Sequence, residues 1–140
     1  MIKACLYTIF LGITISLFSA CSKSDSSNPN TMTAVTGDST FTANTVSGGP
    51  VNGNFTIAGT ATNYGIYTQS IILVISNYNY TTDTLSVNGS SVRAIYNSVP
   101  ATNGTITITA ASTHHAQGTF NFYSASGGIN VTGGYFDVTW

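Results

Sequence analysis

The sequence predicts an all-β domain, and three observations lead there. Threonine occurs 23 times, and together with Ile, Val, Tyr and Phe it favours extended strands. Apolar and polar residues alternate with period two along most of the chain beyond residue 38, which turns one face of each segment inward. Asn-Gly and Gly-Gly pairs fall between these segments, where turns belong. Glu is absent, and Leu, Lys, Arg and Gln are rare after residue 21, so almost no helix is expected.

About eight strands follow from the alternation, near Ser39–Asn44, Asn54–Thr62, Gln69–Ser76, Asp83–Val87, Val92–Asn97, Thr105–Ala110, Gln117–Ser124 and Ile129–Trp140. The clearest is Thr105-Ile106-Thr107-Ile108-Thr109, with Ile inward and Thr outward. Gly118-Thr119-Phe120-Asn121-Phe122 puts both rings on one face. Ser112 to Ala116 reads as the hairpin turn between them. Ser47-Gly48-Gly49-Pro50, Asn88-Gly89, Asn103-Gly104 and Gly127-Gly128 are the other turn signals. Short connections suggest an antiparallel meander, folded into a sandwich or closed as a small barrel.

Two segments break the simple pattern. Ile129 and Val131 are odd-numbered, whereas Phe136, Val138 and Trp140 are even. One face holds both sets only if a residue is inserted between them, and Gly133-Gly134 is the place for such a β-bulge. Ile71-Ile72-Leu73-Val74-Ile75 is apolar on both faces. A loop or second sheet is therefore expected to cover Ile72 and Val74.

The first residues differ in kind. Lys3 precedes an apolar stretch from Ala4 to Phe18, and the small residues Ser19 and Ala20 precede Cys21. This is the pattern of a secretory signal peptide over residues 1–20. Thr8, Thr14 and Ser16 interrupt the apolar stretch, which is too short for a comfortable bilayer span. Leu17-Phe18-Ser19-Ala20-Cys21 resembles a bacterial lipobox, although Phe18 stands where an aliphatic residue is commoner. The resemblance implies cleavage before Cys21 and acylation of its thiolate. Residues 21–37 then read as the lipidated cysteine and a polar Ser/Asn/Thr tether, and residues 38–140 as the domain. Cys5 leaves with the signal, so the mature domain has neither a disulfide nor a free thiol.

Charge excludes some partners. After cleavage, Lys23 and Arg93 oppose Asp25, Asp38, Asp83 and Asp137, a formal −2. With no basic stripe, nucleic-acid binding is not expected. Catalytic constellations are equally sparse. Asp38, Asp83 and Asp137 are the only acids of the domain, and Asp38 and Asp83 have ordinary explanations at turns or strand starts. His114-His115 is the only histidine pair. Adjacent strand residues point oppositely, and further ligands are lacking, so an exposed hairpin tip is expected and no metal site. No Gly-x-Ser-x-Gly elbow or phosphate loop appears, and no cofactor is expected.

The binding signal is aromatic. Tyr64 and Tyr67 precede the doubly apolar strand, and Tyr78 and Tyr80 follow it, interleaved with Asn63, Asn77 and Asn79. Rings with amides suit sugars or peptides, which take stacking plus hydrogen bonds. The plain alternative is half-buried strand-end Tyr. Of the two groups, Asn77, Tyr78, Asn79 and Tyr80 make the better candidate ligand face. Asp83-Thr84-Leu85 and Asp38-Ser39-Thr40 resemble a short bacterial O-glycosylation motif, which marks Thr84 and Ser39.

One wider resemblance covers nearly all of the domain. Phe41-Thr42-Ala43-Asn44, Phe55-Thr56-Ile57-Ala58-Gly59-Thr60, Gly104-Thr105-Ile106-Thr107-Ile108-Thr109, Gly118-Thr119-Phe120-Asn121-Phe122 and Val131-Thr132-Gly133-Gly134-Tyr135-Phe136-Asp137-Val138 together resemble a family of small Bacteroidetes-type lipoproteins of unknown function. That resemblance implies an all-β lipoprotein and carries over no catalytic residues. The functional expectation is a non-enzymatic envelope module, lipid-anchored at the outer membrane. Its role is binding or structural, with another envelope protein or a glycan as partner. Capture of polysaccharide is the specific alternative.

Overall fold

The computed structural model describes residues 30–63, 65 and 67–140. The signal segment, Cys21, the chain as far as Pro29, and Tyr64 lie outside the described residues. Eleven strands are present: β1 Thr31–Thr36, β2 Ser39–Thr42, β3 Thr45–Val51, β4 Asn54–Asn63, β5 Tyr67–Ser76, β6 Asp83–Ser86, β7 Val92–Tyr96, β8 Val99–Pro100, β9 Asn103–Ser112, β10 His115–Ser124 and β11 Ile129–Thr139. They form two antiparallel sheets, ordered β2-β1-β11-β10-β9-β6 and β3-β4-β5-β7-β8. Neither sheet closes on itself, so of the two expected architectures the sandwich is found. Consecutive strands pair as hairpins within each sheet, and the chain changes sheets four times. At the first change, Ala43 N–H donates to Met32 O in one sheet, and Asn44 N–H donates to Thr60 O in the other.

Three strands escape the sequence pattern: β1, β3 and the two-residue β8. β1 lies inside the stretch read as tether, so Thr31–Thr36 of that stretch is strand. Its composition is linker-like, but Met32, Ala34 and Thr36 are buried while Thr31 and Val35 face out. Pairing with β2 and β11 supplies the order that composition alone does not. β3 contains Gly48-Gly49-Pro50, read above as a turn. Glycine is required there because a Cβ on Gly48 would sit 2.7 Å from a Val138 methyl carbon. Pro50 is tolerated because β3 is an edge strand. Asn103-Gly104 likewise begins β9 instead of turning.

The core joins both inner faces. Phe41, Phe120, Phe122, Ile106, Phe136 and Val138 come from the six-stranded sheet, and Phe55, Ile57, Ile71, Leu73 and Tyr96 from the other. The parity change in β11 is accommodated by the expected bulge. Phe120 faces Gly134 and Phe122 faces Val131, so β11 has one extra residue, and Gly133 takes φ +56°. Val131, Phe136 and Val138 are all fully buried as a result.

The outer face of β5 is a different outcome from the coverage expected. No described strand stacks upon it, since both sheets face the shared core. Ile72 lies between Ala58 and Ile95, and Val74 between Thr56 and Arg93. These lateral neighbours bury Val74 and leave Ile72 half-buried.

Candidate functional site

The β5–β6 connection carries Asn77, Tyr78, Asn79 and Tyr80, and the structure brings all four to one end of β5. Two of them take left-handed backbone, Asn77 at φ +55° and Tyr80 at φ +60°. Asn adopts this region readily, whereas Tyr does so seldom, so Tyr80 depends on its surroundings. Those surroundings are aromatic. Tyr78 stacks on Phe55 with centroids 4.9 Å apart, and Tyr80 meets Tyr78 edge-on at 5.5 Å. Trp140 completes the group, 5.0 Å from Phe55 and stacked on Tyr80 at 6.1 Å.

Local hydrogen bonds tighten the loop. Tyr78 Oη donates to Thr81 O at 2.9 Å, and Thr81 Oγ1 donates to Asn79 Oδ1 at 2.7 Å. Asn77 N–H reaches Gly53 O at 3.4 Å, tying the loop to the β3–β4 turn. Burial of the Tyr78 phenol raises its pKa above the usual value, and the nearby Asp83 charge and Tyr80 add to this. Tyr78 therefore stays neutral and remains a donor.

Beside Tyr78 lies an open cleft of about 220 Å³. Its apolar side is Ile75 and Leu85, and Tyr78 supplies an aromatic wall. Asn77, Asn79, Thr81 and Asp83 add amide, hydroxyl and carboxylate groups. Tyr80 does not line the cleft but packs behind it. Tyr67 sits at the far end of β5, 74% exposed and away from the cleft. Tyr67 thus stands at the opposite end of this strand from Tyr78 and Tyr80, as expected.

The histidines part company. Thr113 and His114 form the turn, and His114 is exposed, with Nδ1 3.1 Å from Thr113 Oγ1. His115 is not a free tip, as the sequence had suggested. Its Nε2 lies 2.8 Å from Asp137 Oδ1, Tyr135 Oη donates to Asp137 Oδ2 at 3.3 Å, and Gln117 Nε2 donates to Tyr135 Oη at 2.8 Å. Antiparallel pairing of β10 with β11 creates this network by setting Gln117 opposite Asp137, a register that the local sequence does not display. Two of its three bonds, His115 to Asp137 and Gln117 to Tyr135, cross from β10 to β11, and the third ties Tyr135 to Asp137 along β11, so the network acts as a cross-strand clamp. With side chains 37% and 32% exposed, the His115–Asp137 contact is worth at most about 1 kcal/mol. His115→Ala is accordingly expected to lower unfolding free energy by no more than about 1 kcal/mol. Chemical denaturation checks this, and a larger loss would mark the network as a structural centre of the fold.

Among the described residues, no group of three or more His, Cys, Asp and Glu side chains is placed to hold a metal ion. Thr84 is exposed on the edge strand β6, with Oγ1 3.3 Å from Thr107 Oγ1. Ser39 is exposed at the start of β2. Both O-glycosylation candidates are therefore accessible. Comparison with protein-family models, curated proteins and solved structures finds no match for this chain.

Sequence reasoning missed Trp140 as a member of the aromatic group. Its even parity with Phe136 and Val138 indicated an inward residue, but not which loop it would meet. Asp137 was equally silent until β10 supplied its partners.

Proposed function

We propose that this chain is a non-enzymatic, lipid-anchored module of a bacterial envelope that binds a carbohydrate through the β5–β6 cleft. The observation that carries the reading is the cleft itself, where an aromatic wall stands beside convergent amide, hydroxyl and carboxylate groups. Sugars present apolar C–H faces edged by hydroxyls, and such a surface matches both parts. At about 220 Å³, the cleft is smaller than the ~300–1,000 Å³ of pockets for drug-sized ligands, which points to one sugar unit rather than a long chain. The anchor reading rests on the Lys3-to-Ala20 signal pattern and the cysteine that follows it.

The test uses the soluble Cys21→Ser chain on a glycan array, with Asn79→Ala and Asp83→Asn beside it. Both side chains are exposed, so each change should alter stability by less than about 0.5 kcal/mol. Loss of one ligand hydrogen bond of about 1 kcal/mol corresponds to roughly fivefold weaker binding in each variant. Failure to retain any glycan, or binding unaffected by both substitutions, would remove this reading and leave a structural accessory role.

A further inference from the structure

Asp83 opens β6, an edge strand of the six-stranded sheet, and stands opposite Ile108 as Leu85 stands opposite Ile106. Both isoleucines are buried. Directly paired residues share a face of the sheet. Asp83 and Leu85 therefore project towards the side on which the two sheets meet, and both line the cleft beside Tyr78. Period-two alternation would put an apolar residue at that position, and a carboxylate stands there instead.

No cation among the described residues pairs with it. Arg93 is the one Lys or Arg among them, and it pairs with Val74 on the outer face of the five-stranded sheet. His115 is engaged by Asp137. The neighbouring hydroxyls are committed as well, since Tyr78 Oη donates to Thr81 O and Thr81 Oγ1 to Asn79 Oδ1. Asp83 Oδ1 accepts from Thr84 N–H at 2.7 Å, which leaves Oδ2 to accept from a ligand. The carboxylate is also close enough to the aromatic wall for its charge to add to the effect of burial in raising the Tyr78 pKa. An ionised carboxylate only accepts, and its strongest hydrogen bonds come from cationic donors. An ammonium group is such a donor, whereas an anionic group would be repelled.

We infer that the cleft selects an amino sugar over the matching neutral sugar, with Asp83 accepting from the ammonium group while Tyr78, Ile75 and Leu85 take the apolar C–H face. The inference rests on the carbohydrate reading of the same cleft and adds the charge of its ligand. An inward charge on an edge strand also discourages pairing between copies. That role alone would leave the choice of sugar untouched, so selectivity separates the two.

The test titrates the full chain, made soluble by Cys21→Ser, with three matched pairs: glucosamine and glucose, galactosamine and galactose, mannosamine and mannose. Within a pair only the group on C2 differs, an ammonium against a hydroxyl. A charge-assisted hydrogen bond outweighs a neutral one enough to make the amino sugar of the preferred pair bind about tenfold more tightly at neutral pH. Asp83 is exposed, so added salt should shrink that ratio. Raising the pH until the sugar's own amine is neutral should remove it. Asp83→Asn should bring the ratio close to one, whereas Asn79→Ala should weaken both sugars alike and keep the ratio. Equal affinity within every pair, or a preference that survives Asp83→Asn, overturns the inference and leaves the carbohydrate reading standing. A folded chain that binds no member of any pair overturns both.

Discussion

Phe120→Ala is expected to cost about 3–5 kcal/mol of folding free energy, towards the upper part of that range. Phe120 is 2% exposed, and its ring is stacked between those of Phe122 at 6.1 Å and Phe136 at 6.4 Å. Directly opposite on β11 stands Gly134, where a Cβ would lie 2.5 Å from the Phe120 ring. The ring occupies the space that a side chain on β11 would otherwise fill. Truncation leaves a cavity above a residue with nothing to move into it, and the flanking Phe rings are already held by the rest of the core. The cost of such a change grows with the cavity that remains, so poor collapse means a large loss. Urea denaturation checks the value, with a lower midpoint at unchanged slope. A loss below about 1 kcal/mol would show that the core relaxes around the site, and that the glycine contact does not limit packing.

Cys21→Ser is expected to move the protein from the membrane fraction to the soluble fraction. Acyl chains contribute about 0.8 kcal/mol for each buried CH₂, and more than one chain is needed for stable attachment. No helix among the described residues is long and apolar enough to cross a membrane. Fractionation with mass spectrometry of residue 21 is the measurement. Membrane-bound protein with an unmodified cysteine, or a serine variant that stays with the membrane, would sink the anchor.

Most strands were legible because each alternates on its own. Ile106 and Ile108 between threonines, or Phe120 and Phe122 on one face, specify a half-buried strand whatever their neighbours are. The bulge was legible for the same reason, since Val131 and Phe136 cannot share a face without an inserted residue, and Gly133 takes its positive φ at little cost. β1 and β3 were harder to read. Their Thr, Ala and Gly residues become strand-forming only once β11 and β4 offer hydrogen bonds and close contacts. The loop residues Asn77 to Tyr80 stood out by composition, and their grouping holds in the structure.

What the sequence by itself determined is the all-β class, the position of most strands, the inward faces and the place of the bulge. These follow from period-two alternation and from turn chemistry, which act over a few neighbouring residues. Only the tertiary structure decided between sandwich and barrel, set Asp137 beside His115, and brought Trp140 to Tyr80 and Asn30 to Thr139. The physical reason is range. Register between strands far apart in sequence is chosen by the packing of the whole core, and a side chain's neighbours across a sheet leave no trace in its local pattern.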